Sequence, residues 1–297
     1  MMNKKWLLAL PIGLVLTGMI GYRVVFTLPE QGQISSISQG NIAPSLQCYR
    51  SDSAKPVDLN GELNVLVWNI YKQNRPNWHA SLQTLVDGKQ LALLQEASMT
   101  PELLHWIEDN QWFGSQVDAF KAFDTTAGVL NLSYDTPDLA CAYTELEPWL
   151  GLPKSALYAT YPLTNGQSLA VVNIHAVNFT YGTVEYQRQL DTLVTELLNH
   201  QGPIIVAGDF NSWSDARLSV MKQALDKIGV TEVTYQVDNR TQFVTGLPLD
   251  HVFYRDLVLQ KAEAPITDAS DHNPIEVSFR LKNNDVERPN EVVSEPR

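Results

Sequence analysis

The sequence predicts an α/β fold in which mixed, mainly antiparallel β-sheets are covered by helices, and three observations support this. Short apolar runs that end on polar side chains, such as Leu63–Asn69 and Leu91–Glu96, have the length and content of central strands. Segments with helical spacing lie between such runs. Several strand pairs leave no room for a crossover helix, and this requires antiparallel pairing.

Taken in order, the chain begins with Lys4 and Lys5 and then Trp6–Tyr22, an uncharged stretch of 17 residues. Residues 1–27 are expected to form a signal-anchor helix, near the lower limit of the ~17–25 residues a spanning helix needs. No small-x-small cleavage site follows clearly, so retention is expected, with the lysines cytoplasmic and the remaining chain facing the periplasm from the inner membrane. The alternatives are a hydrophobic helix docked on the globular body, or a start codon placed upstream of a cytoplasmic protein. Residues 28–60 carry Gln, Ser, Gly, Pro and Asn without periodicity and read as a linker. One domain is expected over 61–281, and the polar residues 282–297 read as a loose tail.

Within the domain, Asn77–Val86 and Thr100–Asp109 are expected to be helical, the second with Thr100 as N-cap and Pro101 in its first turn. Ala127–Ser133, Ser155–Tyr161 and Ser168–His175 read as strands. Tyr181–His200 reads as an amphipathic helix with Tyr186, Leu190, Leu193 and Leu197 on one face. The strand Ile204–Ala207, a helix near Ala216–Ile228 and strands near Val252–Tyr254 and Ile275–Phe279 complete it. No element is assigned between residues 110 and 126 or between 134 and 150. Cys48 and Cys141 permit one disulfide in an exported protein but do not require it, and two separate thiols are the expected state.

The net charge of −12 from 21 basic and 33 acidic residues argues against long-range attraction to nucleic acid or anionic lipid. After Arg23 the balance is −15, because Lys4, Lys5 and Arg23 precede every acidic residue. An acidic protein still hydrolyses phosphodiesters where metal ions offset the repulsion.

Chemistry is expected at the strand ends. Asp209 and Asn211 lie two apart after Gly208, so a carboxylate and a carboxamide leave one strand end on the same side. Hard oxygen donors of this kind suit magnesium and a phosphate oxygen. Asn69, Glu96, His175, Asp250 with His251, and Asp271 with His272 are likewise delivered from apolar runs. Each alone has an ordinary reading as a cap, a turn or a hydrogen-bonded polar residue. Trp68, Trp78, Trp106, Trp112 and Trp149 read as packing residues, and Trp213 as packing or part of a pocket wall.

In their order, the segments VLVWNI (65–70), LLQE (93–96), VVNIHAVNF (171–179), VAGDFNSW (206–213), PLDHVFYR (248–255) and SDHNP (270–274) resemble the endonuclease/exonuclease/phosphatase superfamily. The resemblance covers about Leu63–Phe279 and points to an uncharacterised bacterial branch. It implies a four-layered α/β sandwich of two mixed sheets packed face to face and flanked by helices. It also implies a metal-dependent hydrolase that cleaves phosphoester bonds by direct water attack. Glu96 would be the principal ligand of Mg2+ or Mn2+, supported by Asn69 and Asp271. Asp209 and Asn211 would position phosphate and water. His272 would act as general base or proton-bearing stabiliser, oriented by Asp250, and His175 would donate to a phosphate oxygen or assist the leaving group. The segment LNLSYDTP (130–137) lacks an arginine often found after the serine, and Lys154 is the candidate replacement charge. Counterparts of the DNA-intercalating loops are absent, which disfavours DNA repair. The implied partner is a phosphoester substrate, whether nucleic acid, nucleotide or phospholipid headgroup. The chain offers a membrane tether at residues 6–26, and no protein partner is implied. The competing reading is a catalytically silent binding or scaffold protein on the same fold.

Overall fold

The computed structural model describes Thr17, residues 21–123 and residues 125–282. The expected anchor at 1–27 and tail at 282–297 therefore fall largely outside the described residues. Among the described residues no helix is long and apolar enough to cross a membrane.

The strands run in chain order as β1 (Phe26–Thr27), β2 (Gln33–Ser38), β3 (Asn41–Leu46), β4 (Cys48–Arg50), β5 (Glu62–Asn69) and β6 (Leu91–Ser98). They continue as β7 (Phe113–Ala122), β8 (Thr125–Ser133), β9 (Leu139–Leu146), β10 (Pro153–Pro162), β11 (Ser168–His175) and β12 (Ile204–Asp209). The last are β13 (Thr231–Glu232), β14 (Val237–Asp238), β15 (Asp250–Arg255), β16 (Leu257–Ala264) and β17 (Ile275–Leu281). Among the described residues the helices α1 (Trp78–Leu85), α2 (Pro101–Asp109), α3 (Val184–Leu197) and α4 (Asp215–Asp226) accompany them, with residues 21–25 also helical and a 3-10 turn at Tyr71–Gln73.

One sheet has the order β14-β16-β17-β5-β6-β8-β7-β2-β3, with β1 on β7, and the other β13-β15-β12-β11-β10-β9-β4. Pairing is antiparallel except at β5–β6, β11–β12 and β14–β16. The strand sequences explain why the sheets stack. Along β5, Val65 and Val67 join the core between the sheets, with Leu157, Val171 and Ile205 from the facing sheet. Leu66 and Trp68 point the other way, onto Leu82, Leu103 and Trp106 of α1 and α2. The second sheet repeats this, with Val172, Ile174 and Val206 packed under Leu190, Leu193 and Met221 of α3 and α4. Burial on both faces is why these strands read as nearly continuous apolar runs. The result is the four-layered α/β sandwich that the family resemblance implies.

The helix ends follow their caps. Thr100 accepts from Leu103 N ahead of Pro101, and Ser214 accepts from Arg217 N at the start of α4.

Residues 28–60 are not a linker. β2 pairs with β7 and β3 pairs with β2, and Ile34 and Ile37 are fully buried. The β2–β3 hairpin turns on Gln39 and Gly40, both at positive φ, the conformation of a tight two-residue turn. Edge strands bury few side chains, so this hairpin leaves little hydrophobic periodicity to read. Nor are the cysteines separate: Cys48 faces Cys141 across β4 and β9, and the two form a disulfide spanning 93 residues of sequence. Closing a loop of that length stabilises a fold by roughly 3–5 kcal/mol through the unfolded chain. A Cys48→Ala/Cys141→Ala protein is expected to melt about 5–10 °C lower in a calorimetric scan. Wild-type protein scanned with dithiothreitol is expected to match it, and an unchanged melting temperature in both would show that the crosslink contributes nothing.

Candidate active site

Six of the strand-end residues meet at one end of the sandwich, at the mouth between the two sheets. Asp209 Oδ2 is the hub. It lies 3.1 Å from Asn69 Nδ2, 3.4 Å from His175 Nε2 and 3.9 Å from His272 Nε2. His272 Nδ1 is 2.7 Å from Asp250 Oδ2, and His175 Nε2 is 3.8 Å from Glu96 Oε1. Glu96 and His272 are thus linked through two side chains, across the width of one small ligand.

The backbone is bent to make this possible. Glu96 sits at the irregularity between Leu94 and Ala97 in the β6–β8 pairing and has φ +52. A bulge of this kind turns one side chain out of the strand's alternation and is common beside active sites. Gly208 has φ +139, and a Cβ there would lie 2.0 Å from the carbonyl oxygen of Ile174. Only glycine brings β12 this close to β11 and keeps Asp209 level with His175. The 270–272 loop is pinned to β5: Trp68 Nε1 donates to the His272 carbonyl at 2.9 Å, and Ser270 Oγ donates to the Asn69 carbonyl at 2.7 Å. Beneath the mouth, Gln95 and Asn131 of one sheet hydrogen-bond the buried amide of Asn173 in the other, at 2.7 and 2.9 Å. This polar stitch fixes the two sheets beside Glu96 and His175.

The two imidazoles are held in opposite states. Burial disfavours charge on His272, but the carboxylates of Asp250 and Asp209 outweigh it and raise its pKa to about 10. Burial and the Lys154 ammonium, 2.8 Å from Nε2, lower that of His175 to about 4. Burial would raise Glu96, yet His175, Lys154 and Lys72 together hold it at about 2. Since His175 is neutral above about pH 4, the two lysines carry that effect at neutral pH.

The remaining expected residues are placed as follows. Asn211, at φ +47, uses its side-chain Nδ2 on the Ala176 carbonyl at 3.0 Å and its backbone N–H on Asp209 at 2.9 Å. Asn69 donates to Asp209 and accepts from Tyr71 N, so it orients Asp209 directly. Lys154 Nζ stands 3.7 Å from Glu96 and beside His175. Asp271 is not joined to Glu96 or Asn69. Its carboxylate is exposed, accepts from Ser270 Oγ at 3.4 Å and adds to the negative charge that raises the pKa of His272. Trp213 Nε1 donates to Asn178 Oδ1 at 2.9 Å, so it supports a residue of the pocket wall without lining the pocket itself.

Two features were not legible in the sequence. Lys72 reaches Glu96 and pairs with it, carried on Tyr71–Gln73, three residues that all have positive φ. Such backbone costs roughly 1–2 kcal/mol per residue and bears no glycine to announce it. The second is a buried relay: Ser212 Oγ lies 2.8 Å from His251 Nε2, and His251 Nδ1 lies 2.6 Å from Glu232, which Arg240 holds at 2.8 Å. These atoms match those of a nucleophilic triad. Ser212, however, is fully buried and also hydrogen-bonds the Pro248 carbonyl, so no ester reaches it. The relay braces the chain beside Asp250 and Asn211.

Carboxylate, amide and imidazole donors without cysteine fit a hard divalent cation. Asp209, Asp250 and His272 lie close enough to surround an ion, the imidazole offering a ligand nitrogen only in its neutral form. Glu96 is the second candidate, an ionised carboxylate at the mouth whose present counter-charge, Lys72, is part-exposed. A pocket of about 260 Å³ opens beside it, lined by Glu96, His175, Lys154 and Lys72 on one wall and by Phe120, Leu152, Phe179 and Glu147 among others.

Comparison with known proteins agrees with this geometry. Over 280 residues the chain is 54% identical to a UPF0294 protein of Vibrio vulnificus (strain YJ016), covering 94% of this chain and 99% of the relative. In fold it resembles an endonuclease/exonuclease/phosphatase of Beutenbergia cavernae, at TM-score 0.60 and 16% identity over 75% of this chain and 72% of that one. It also resembles D. rerio TDP2 complexed with single strand DNA product, at TM-score 0.56 and 16% identity over 74% and 99%. The model of the Endonuclease/Exonuclease/phosphatase family matches residues 66–272, which span the mouth from β5 to His272, and the chain belongs to that family.

Proposed function

We propose that the protein is a Mg2+- or Mn2+-dependent phosphoester hydrolase acting by direct attack of water. The observation that carries this is the convergence of Glu96, His175, Asp209, Asp250 and His272, from four strands and the 270–272 loop, on one mouth beside an open pocket.

Glu96 would hold the cation, with Asn69 positioned by the same strand-end cluster. When bound, a hard cation withdraws charge from a phosphoryl oxygen and lowers the pKa of water. The chain's own residues do the rest. Lys154 and Lys72 offer positive charge to the phosphate at the pocket wall. Asp209, between the two imidazoles, orients the attacking water, and neutral His175 beside it accepts a proton. His272, kept protonated by Asp250, stabilises charge developing on the phosphoryl group or on the leaving oxygen. Of the two roles open to His272 from the sequence, its protonation supports the stabiliser over the general base. Two groups of one type with pKa values driven apart are the signature of an acid and base pair. The serine–histidine–carboxylate relay is sealed in at Ser212, which supports direct attack of water over a covalent route.

The pH profile tests this assignment. Activity needs His175 neutral, so it is lost as pH falls through about 4, and His272 protonated, so it is lost as pH rises through about 10. A kcat/KM profile with a broad plateau between these limbs is expected. A single limb near the ordinary histidine value of ~6.5 would contradict it. The disulfide supports an oxidising compartment. With the uncharged stretch Trp6–Tyr22, it supports an inner-membrane-anchored protein facing the periplasm.

A further inference from the structure

The active-site mouth is bordered by apolar side chains that the catalytic reading does not use. Trp149 and Tyr181 are 54% and 79% exposed, yet their rings pack together with centroids 4.6 Å apart. They stand on the two loops that line the catalytic pocket through Leu150 and Phe179, themselves about half exposed. The loops are tied together where Asn178 N donates to Glu147 at 2.9 Å. Val184, the first residue of α3, extends the exposed apolar surface. A contiguous apolar rim around a polar site marks a docking surface. Exposed Trp and Tyr are the side chains suited to the boundary between water and hydrocarbon.

The occupant is identified by where the chain leaves this surface. Tyr22 closes the uncharged stretch Trp6–Tyr22, and its Oη donates to the Gly151 carbonyl at 3.0 Å, within the Trp149 loop. Seventeen consecutive uncharged residues therefore start from the rim itself. The charge points the same way. A balance of −15 after Arg23 disfavours nucleic acid and anionic lipid alike, whereas apolar insertion into a neutral bilayer needs no basic patch. At the pocket wall Lys72 and Lys154 offer charge to a headgroup phosphate.

From this we infer that the Trp149–Tyr181 rim seats on the surface of a zwitterionic phospholipid bilayer, so that the mouth opens onto lipid headgroups. The docking stands on the rim and Tyr22 alone, while a headgroup phosphoester as substrate rests also on the hydrolase reading. Full-length protein in phosphatidylcholine vesicles, spin-labelled through Val184→Cys or, as a control, Ile266→Cys on the exposed surface beside α1, tests it by collision with oxygen and with a water-soluble nickel chelate. The label at 184 is expected to lose collisions with the chelate and gain those with oxygen, and the label at 266 to behave as in water. Adding Trp149→Ala/Tyr181→Ala is expected to return the 184 label to water while bis-p-nitrophenyl phosphate turnover is kept. A 184 label in water from the start, or shielded from both reagents as under a protein partner, overturns the inference. Absence of turnover in the unsubstituted protein would count against the hydrolase reading and leave the docking result standing.

Discussion

Replacing His272 by alanine is expected to lower kcat/KM on a phosphodiester by about 10³–10⁴-fold while the melting temperature shifts by only a few degrees. The side chain lies between two carboxylates, 2.7 Å from Asp250 and 3.9 Å from Asp209, and carries their counter-charge. Its removal takes away the imidazolium proton at the reacting group and leaves two acids facing one another, so substrate phosphate is repelled where it was held. Asp250 acts only through this imidazole, so Asp250→Asn should lose activity by a similar factor. Combining the two changes should cost little more than either alone, because residues acting as a unit are not additive. Near wild-type turnover by the His272→Ala protein would remove the assignment.

Glu96→Gln is expected to cost about 10³-fold in activity at fixed magnesium, since a cation contributes several kcal/mol of charge stabilisation in such sites. The substitution keeps shape and removes the charge that faces Lys72 and Lys154 and that would hold the cation. Titration calorimetry provides a second reading, in which a heat of Mg2+ or Mn2+ binding is expected with wild-type protein and none with Glu96→Gln. Retained metal binding with lost activity would move the cation elsewhere, the Asp209–Asp250 side being the next candidate.

The legibility of this molecule follows burial. β5, β6, β11 and β12 have both faces covered, so their apolar runs mark strand and catalytic tip together, and Asn69, Glu96, His175 and Asp209 are readable from them. The hairpin β2–β3 and the strands β7, β9 and β16 are not. β16 alternates exposed and buried residues around an irregularity at Leu259–Lys261, and the hairpin buries little beyond Ile34 and Ile37. The disulfide was hidden for the same reason, because it depends on two strands, β4 and β9, that carry weak patterns. Lys72 escaped notice because its reach comes from a left-handed turn at Tyr71–Gln73, where the residue types give no sign of it. Asp271 shows the converse. A motif places two adjacent residues at the site; in the bend at 270–272 the Trp68 donation to the His272 carbonyl and the His272 N–H donation to Ser270 Oγ hold His272 in the buried cluster, while the Asp271 carboxylate stays exposed.

Hydrolysis of bis-p-nitrophenyl phosphate by the purified full-length chain, with magnesium, then with chelator, then with metal restored, tests the central claim most directly. Turnover that disappears with chelator, returns with Mg2+ or Mn2+ and is absent from the His272→Ala protein is the predicted result. No turnover of this ester, or of a panel of nucleotide, nucleic-acid and phospholipid esters, at any metal concentration would contradict it and identify a silent binding protein on a catalytic fold.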